Sequence, residues 1–307
     1  LNHGSEGATM SEETVTVSDS ADTEINAAIQ KKIGWGFWLA ISWVIFITLL
    51  AILAPYLNLK DPRGYFIDID GNGRPPYGPS FEHWFGTDKD ARDIFSRSLH
   101  GARISLIVGF SAISFGFIVG GSLGIIAGYF RGWLDKVISF TFIILLSFPS
   151  LVLAIMLTAL LNRSLFTISM ILGILSIAPV GRLARASTLQ FSDREFVLAA
   201  RQIGASDSRI ILRELLPNVV IPMSALALLG MAVAIVAEGG LAFLGLSVSQ
   251  GITWGSLIQI GSVSATTLEN APWIAFFPIL LLFLTVLSLN FAGDRLRSHL
   301  DVKESSL

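Results

Sequence analysis

Apolar residues in this chain are gathered into long uninterrupted runs, unlike the alternating or 3.6-period stripes of a soluble fold. The runs fall at about 36–56, 104–130, 137–161, 165–180, 219–247 and 273–293, separated by charged or Pro/Gly-marked breaks. Most of them reach the ~20 residues a helix needs to cross a hydrocarbon core, so the pattern predicts an all-α membrane protein with six transmembrane helices. The fourth run is short, and the helix is expected to continue past Gly181 through Arg182 and Arg185, beyond the bilayer. Residues 1–30 are polar and acidic and cannot bury a core, which predicts a disordered cytoplasmic tail. The first apolar run lies well inside the chain and is too long for a signal-peptide h-region, so this tail is expected to be kept.

Composition agrees: of 307 residues 52% are hydrophobic and 14% charged, with a mean hydropathy of +0.67, more apolar surface than one soluble core hides. One polytopic domain is therefore expected, in the order 1–30 tail, 31–57 first helix with its lead-in, 58–102 extracytoplasmic loop, 103–295 five-helix core including a loop at 181–217, and 296–307 cytoplasmic tail. The absence of Cys excludes thiol catalysis, disulfides and cysteine-ligated metals. The four His, at 3, 83, 100 and 299, lie scattered outside the apolar runs and offer no ligand cluster, so no metal site or enzyme chemistry is indicated. A net charge of −2 supplies no field for nucleic acid.

An even number of spans puts both termini on one side. Thirteen Lys and Arg fall on the face shared by Lys31, the 131–136 and 181–217 loops and the C-terminal end, against eight on the other, seven of those in a long loop with as many acids. The positive-inside rule places both termini in the cytoplasm. Trp35, Trp38, Trp133 and Trp273 sit near span ends, as interfacial anchors do.

Four features carry candidate function. Gly116, Gly120, Gly124 and Gly128 recur every four residues, giving one helix face of bare backbone for close helix packing, within the chain or with a partner. Pro149 interrupts the third span and frees the carbonyl of Leu145, for which Ser147 and Ser150 are candidate donors; a kink there could shape a pore or gate. Glu238 lies in an apolar run near the outer interface and needs a partner or water. Asp68, Asp70 and Asn72 open like a calcium loop, but Pro79 stands where the bidentate Glu belongs, and a tight turn explains the same residues.

The inner loop 181–217 is the most informative segment. Ser192 and Glu195 have the spacing of a capping box, Gly204 can close the first helix, and Ser206 or Asp207 can cap a second that stops at Pro217. This predicts helix, glycine hinge, helix. Phe196, Ala199, Ala200 and Ile203 share a face of the first, and Ile211, Leu212, Leu215 and Leu216 a face of the second, with Arg201, Arg209 and Arg213 on the polar sides.

Residues 195–217, EFVLAARQIGASDSRIILRELLP, resemble the EAA loop of ABC-importer permease subunits: Ala199-Ala200, Gly204 four residues on, then Leu216-Pro217. Leu198 departs from the acidic residue that names the motif, and Glu214 from its usual Ile. Residues 86–109, 238–246 (EGGLAFLGL) and 290–301 resemble corresponding segments of the C-type subunits of dipeptide and oligopeptide permeases, with Ala91 where these usually have Gly. The resemblance implies a type I ABC-importer permease for peptides or peptide-like solutes in a prokaryotic cell membrane. It further implies a loop including Glu195, Leu198, Ala199, Ala200, Gly204, Ser206, Asp207, Arg209, Leu216 and Pro217 that couples to two ATPase subunits. Those subunits would bind ATP and Mg, with no cofactor on this chain. A second permease subunit would complete a heterodimeric pore, and an extracytoplasmic binding protein would deliver substrate. The alternative, an ion-gradient-driven transporter or channel, requires several ionisable residues within its spans, and Glu238 is the one obvious candidate.

Overall fold

The structure, a computed structural model, describes residues 34–67 and 74–304. The predicted tail and the Asp68–Gly73 turn, with its calcium candidates Asp68, Asp70 and Asn72, lie outside the described residues. Among the described residues the regular structure is helical, apart from one isolated bridge between Thr87 and Asp93. In chain order the helices are α1 (Trp35–Leu53), α2 (Ile94–Phe130), α3 (Gly132–Ser147), α4 (Ser150–Leu160), α5 (Leu165–Ser192), α6 (Glu195–Gln202), α7 (Asp207–Phe243), α8 (Trp254–Ser262), α9 (Ala265–Asn270) and α10 (Trp273–Glu304). Helices α1, α2, α5, α7 and α10 are each long and apolar enough to cross a membrane, and the bent pair α3–α4 makes a sixth span if counted together.

Helices α2, α5 and α7 form the centre. Their buried side chains interleave in one cluster around Val108, Ile168, Leu172 and Leu241 and another around Ile113, Val180, Ala184, Val219 and Met223. Helices α1 and α10 close the opposite flank through Ile47, Ala232, Ile235 and Leu289. By contrast α3 buries only Phe142, and α4 only Ala154 and Thr158, so both leave most of their apolar surface uncovered.

Several boundaries differ from the hydropathy pattern, each for a local reason. Helix α2 begins at Ile94, well before its apolar run, because the Asp93 side chain accepts the Ser96 N–H at 2.8 Å and caps it. Its first turn carries the buried Arg97, whose charge hides the helix from a hydropathy reading but is met by Asp88 at 3.3 Å. Helix α7 does not start after Pro217: it runs on from Asp207 through a π-helical turn at Ile210–Leu215. Pro217 then falls in the first turn of the α-helical stretch, where a missing N–H costs least, and the Asn218 side-chain amide donates to the Glu214 carbonyl at 2.6 Å. The segment between the apolar runs 219–247 and 273–293 folds into α8, under a capping box of Thr253 and Ser256, and α9, capped by Ser264. Trp273 is a packing residue as much as an interfacial anchor, donating its indole N–H to the Thr87 carbonyl at 3.1 Å.

Candidate functional site

At one end of the bundle the chain between α5 and α7 folds back on the end of α2. The Tyr129 ring packs with Val197, Ala200, Ile210 and Leu215 in one buried cluster. Its hydroxyl donates to Asp207 Oδ1 at 2.6 Å, and the Arg201 guanidinium lies 5.6 Å from the ring centroid. Beside it Arg131 donates to both carboxylate oxygens of Asp193 at 2.8 Å and to Ser192 Oγ at 3.0 Å. The loop is thus tied to α2 by a buried aromatic and two polar locks. Tyr129, Arg131 and Asp193 escaped the sequence reading because they lie in or beside different runs and come together only in the fold.

Gly204 has φ +80° and closes α6 by a Schellman pattern, with Ala205 N–H donating to Ala200 O at 3.0 Å and Gly204 N–H to Arg201 O at 3.1 Å. The proposed capping box is corrected. Ser192 ends α5, its hydroxyl engaged by Leu189 O and Arg131, and Arg194 precedes α6 without a side-chain cap. Ser206 precedes α7 with its side chain likewise uninvolved in capping.

The faces are corrected as well. Val197 and Ala200 of α6, with Ile210 and Leu215 of α7, turn inward. Phe196, Leu198, Ala199, Ile203 and Leu212 are left exposed, Ile203 at 81% and Leu212 at 61%. Glu195 and Arg209 are exposed beside them, while Leu216 is half-buried. Several apolar side chains are therefore open among charged ones at this end of the bundle.

The glycine stripe packs within the subunit. A Cβ at Gly120 would stand 2.3 Å from the Ile177 carbonyl oxygen, one at Gly124 2.2 Å from that of Gly181, and those at Gly116 and Gly128 2.6 Å from Ser176 Cβ and 2.8 Å from Thr188 Cβ. Bare backbone of α2 thus lies on backbone of α5 along four turns.

At Pro149 the chain does more than kink. Helix α3 ends at Ser147, Phe148 is extended, and Pro149 precedes α4 at an angle of 81°. The Leu145 carbonyl is therefore one of the end carbonyls that every helix leaves, and Ser147 Oγ donates to Ile143 O at 2.8 Å instead. An apolar cavity of about 320 Å³ opens beside this break, lined by Leu146, Ser150, Ala154, Ser176, Leu226 and Ala237 among others.

Glu238 lies near the far end of α7 and is 1% exposed. Its Oε2 accepts from Ser105 Oγ at 3.1 Å, and Ser105 Oγ accepts the Trp254 N–H at 3.3 Å, so the carboxylate ties α7 to α2 and α8. Its Oε1 is buried without a hydrogen-bond partner among the described residues.

At the same end Ala91 sits fully buried at φ +58°. The glycine usual in the resembling permeases is thereby explained, since an L side chain costs about 1–2 kcal/mol in that region. Ala91→Gly is expected to leave thermal stability within about 1 kcal/mol, because relief of the strained φ offsets both the entropy glycine adds to the unfolded chain and the buried methyl it removes; a loss of about 2 kcal/mol or more, read as a melting shift in detergent, would contradict the strain.

Five long apolar helices, a bent pair that makes a sixth span when counted together, and a helix pair tied to the end of α2 define a polytopic membrane protein with a helical loop packed at one end of its bundle. The chain belongs to the family of binding-protein-dependent transport system inner membrane components, whose sequence pattern matches residues 120–304. It is 40% identical over 272 residues to the dipeptide transport system permease protein DppC of Alkalihalophilus pseudofirmus, covering 87% of each chain. To the glutathione transport system permease protein GsiD it is 36% identical in Pectobacterium atrosepticum, covering 86% of each chain, and 38% identical in Shigella dysenteriae, covering 85% of this chain and 84% of that one. Its fold is similar to that of a chain of the inward-facing MetNI methionine ABC transporter, with a TM-score of 0.53 at 20% identity over 66% of this chain and 95% of that one. It is an integral membrane permease subunit of the ABC-importer type, which sets aside the gradient-driven alternative.

Proposed function

We propose that this chain forms half of the translocation pore of an ATP-driven importer of peptides or peptide-like solutes in a prokaryotic cell membrane. The observation that carries the coupling is the exposure of Phe196, Leu198, Ile203 and Leu212 on the helices flanking the Gly204 turn: apolar side chains left open on a segment packed against the end of α2 suit a soluble ATPase subunit. Two such subunits bind and hydrolyse ATP with Mg, and this chain contributes no catalytic group. A second permease subunit covers the bare faces of α3 and α4, and the gate lies at their junction, a reading supported by the 81° break at Pro149. An extracytoplasmic binding protein delivers solute to the opposite end, where Glu238 holds α8 in place. The relatives named for dipeptide and glutathione support short peptides as the solute class.

Uptake of a radiolabelled dipeptide and of glutathione by cells lacking this chain tests the reading. Loss of either, restored by the chain and insensitive to collapse of the proton gradient while ATP is maintained, is the expected result. Topology is tested separately: in a chain with no native Cys, Ser206→Cys is expected to react with an impermeant maleimide only from the cytoplasm and Ser80→Cys only from outside. Outside labelling at position 206 would overturn the orientation.

A further inference from the structure

Opposite the coupling end, the 58–67 segment, the start of α2 and the 249–252 turn enclose a recess of about 380 Å³. Among the described residues its lining contains three arginines, Arg63, Arg92 and Arg97, together with Pro62, Tyr65 and Gln250, and no acidic residue, although Asp61 accepts the Arg63 backbone N–H at 2.9 Å beside it. Arg97 is 4% exposed. Its one ion pair is to Asp88, at 3.3 Å, and Asp88 is 3.9 Å from Arg92 as well. Arg92 pairs with Asp90 and lies with its guanidinium carbon 5.3 Å from the centroid of the Tyr65 ring. Arg63 donates to the Gln250 carbonyl at 3.4 Å and has no ion pair among the described residues. The Nε groups of both Arg92 and Arg97 are buried with no hydrogen-bond partner among the described residues. Three guanidinium groups line one concavity, and their ion pairs among the described residues are to Asp88 and Asp90 alone, which leaves net positive charge at the recess, the arrangement that recognises a planar carboxylate.

We infer that this recess binds the free carboxylate of the incoming solute, an assignment that rests on the peptide reading above. A recess of this volume with a buried arginine in its wall suits the terminal residue of a short peptide better than the flat contact of a protein surface. It lies immediately before Thr253, the cap of α8, whose Trp254 is hydrogen-bonded through Ser105 to Glu238. The recess therefore adjoins the start of α8, which Ser105 links to Glu238.

The test uses the purified complex of this chain with its permease and ATPase partners, without the binding protein, titrated by calorimetry with Ala-Ala, Ala-Ala amide and acetate. Ala-Ala is expected to bind at least tenfold more tightly than its amide, and Arg63→Gln and Arg92→Gln are each expected to weaken Ala-Ala at least fivefold with the melting temperature of the free complex unchanged. Arg63→Lys is expected to restore part of the loss. Equal binding of peptide and amide, or binding indifferent to both arginine variants, overturns the inference. So does arginine-dependent binding of acetate without Ala-Ala, because the site would then serve another carboxylate. If Arg63→Gln instead weakens docking of the binding protein and leaves Ala-Ala binding intact, the recess is a socket for an acidic side chain and the inference fails. Cellular uptake of dipeptide that persists while the titration fails removes the inference and leaves the proposed function standing.

Discussion

Gly124→Val is expected to leave almost no assembled subunit in the membrane. The new Cβ would lie 2.2 Å from the Gly181 carbonyl oxygen and 2.8 Å from Ala184 Cβ, and neither is the free end of a flexible side chain. Relief requires α2 and α5 to separate, which opens the cluster of Ile125, Val180, Ala184, Val219 and Met223 beneath them. Ordinary overpacking costs about 1–3 kcal/mol, and a clash against backbone lies at or above the top of that range. Gly240→Ala is the control, because its Cβ would meet nothing nearer than Leu151 Cδ1 at 4.0 Å, and it is expected to be neutral or slightly stabilising. Yield of monodisperse protein and melting temperature in detergent read both variants; normal yield of Gly124→Val would refute the close crossing.

The second large effect concerns Ile203 and Leu212. Both are exposed although hydrophobic, and neither belongs to the buried cluster around Tyr129. If an ATPase subunit covers them, each contributes about 1.5–3 kcal/mol to assembly, so Ile203→Asp with Leu212→Asp forfeits several kcal/mol and also buries two carboxylates. Retention of the ATPase pair through affinity purification is expected to fall at least a hundredfold while the membrane helices fold normally. Leu198→Asp is expected to act in the same direction more weakly, being a single apolar residue that is already less exposed. Full retention of the ATPase pair in the double variant would mean that this face meets lipid headgroups or water.

The spans were legible because hydropathy reports transfer to lipid without regard to tertiary contacts. It placed the long helices, including the extension of α5 past Arg185, and missed the start of α2 because Arg97 and His100 dilute the signal. Only the fold shows that Asp88 answers Arg97. The helix pair at 195–217 was legible from spacing, and so was a turn at Gly204. Which face turns inward was not, since Phe196 and Val197 are equally apolar and the choice is made by Tyr129 at the end of another helix. The glycine stripe was visible, yet its partner was open until α5 presented Gly181 and Ile177 to it. Pro149 announced a break, but its 81° angle depends on Phe148 taking an extended conformation before the proline, a local preference that a periodicity reading does not register.

The most direct test of the account is disulfide or bismaleimide cross-linking from a single cysteine at Ile203 in the native importer complex, with each ATPase subunit carrying a cysteine in its membrane-facing cleft. The chain has no other Cys, so every product reports position 203. The account predicts a cross-link to an ATPase subunit, with yield that changes when ATP is bound and not hydrolysed, and protection of this cysteine from a hydrophilic maleimide in the assembled complex. Free labelling of position 203 in the intact complex, with no cross-link in any nucleotide state, would contradict it.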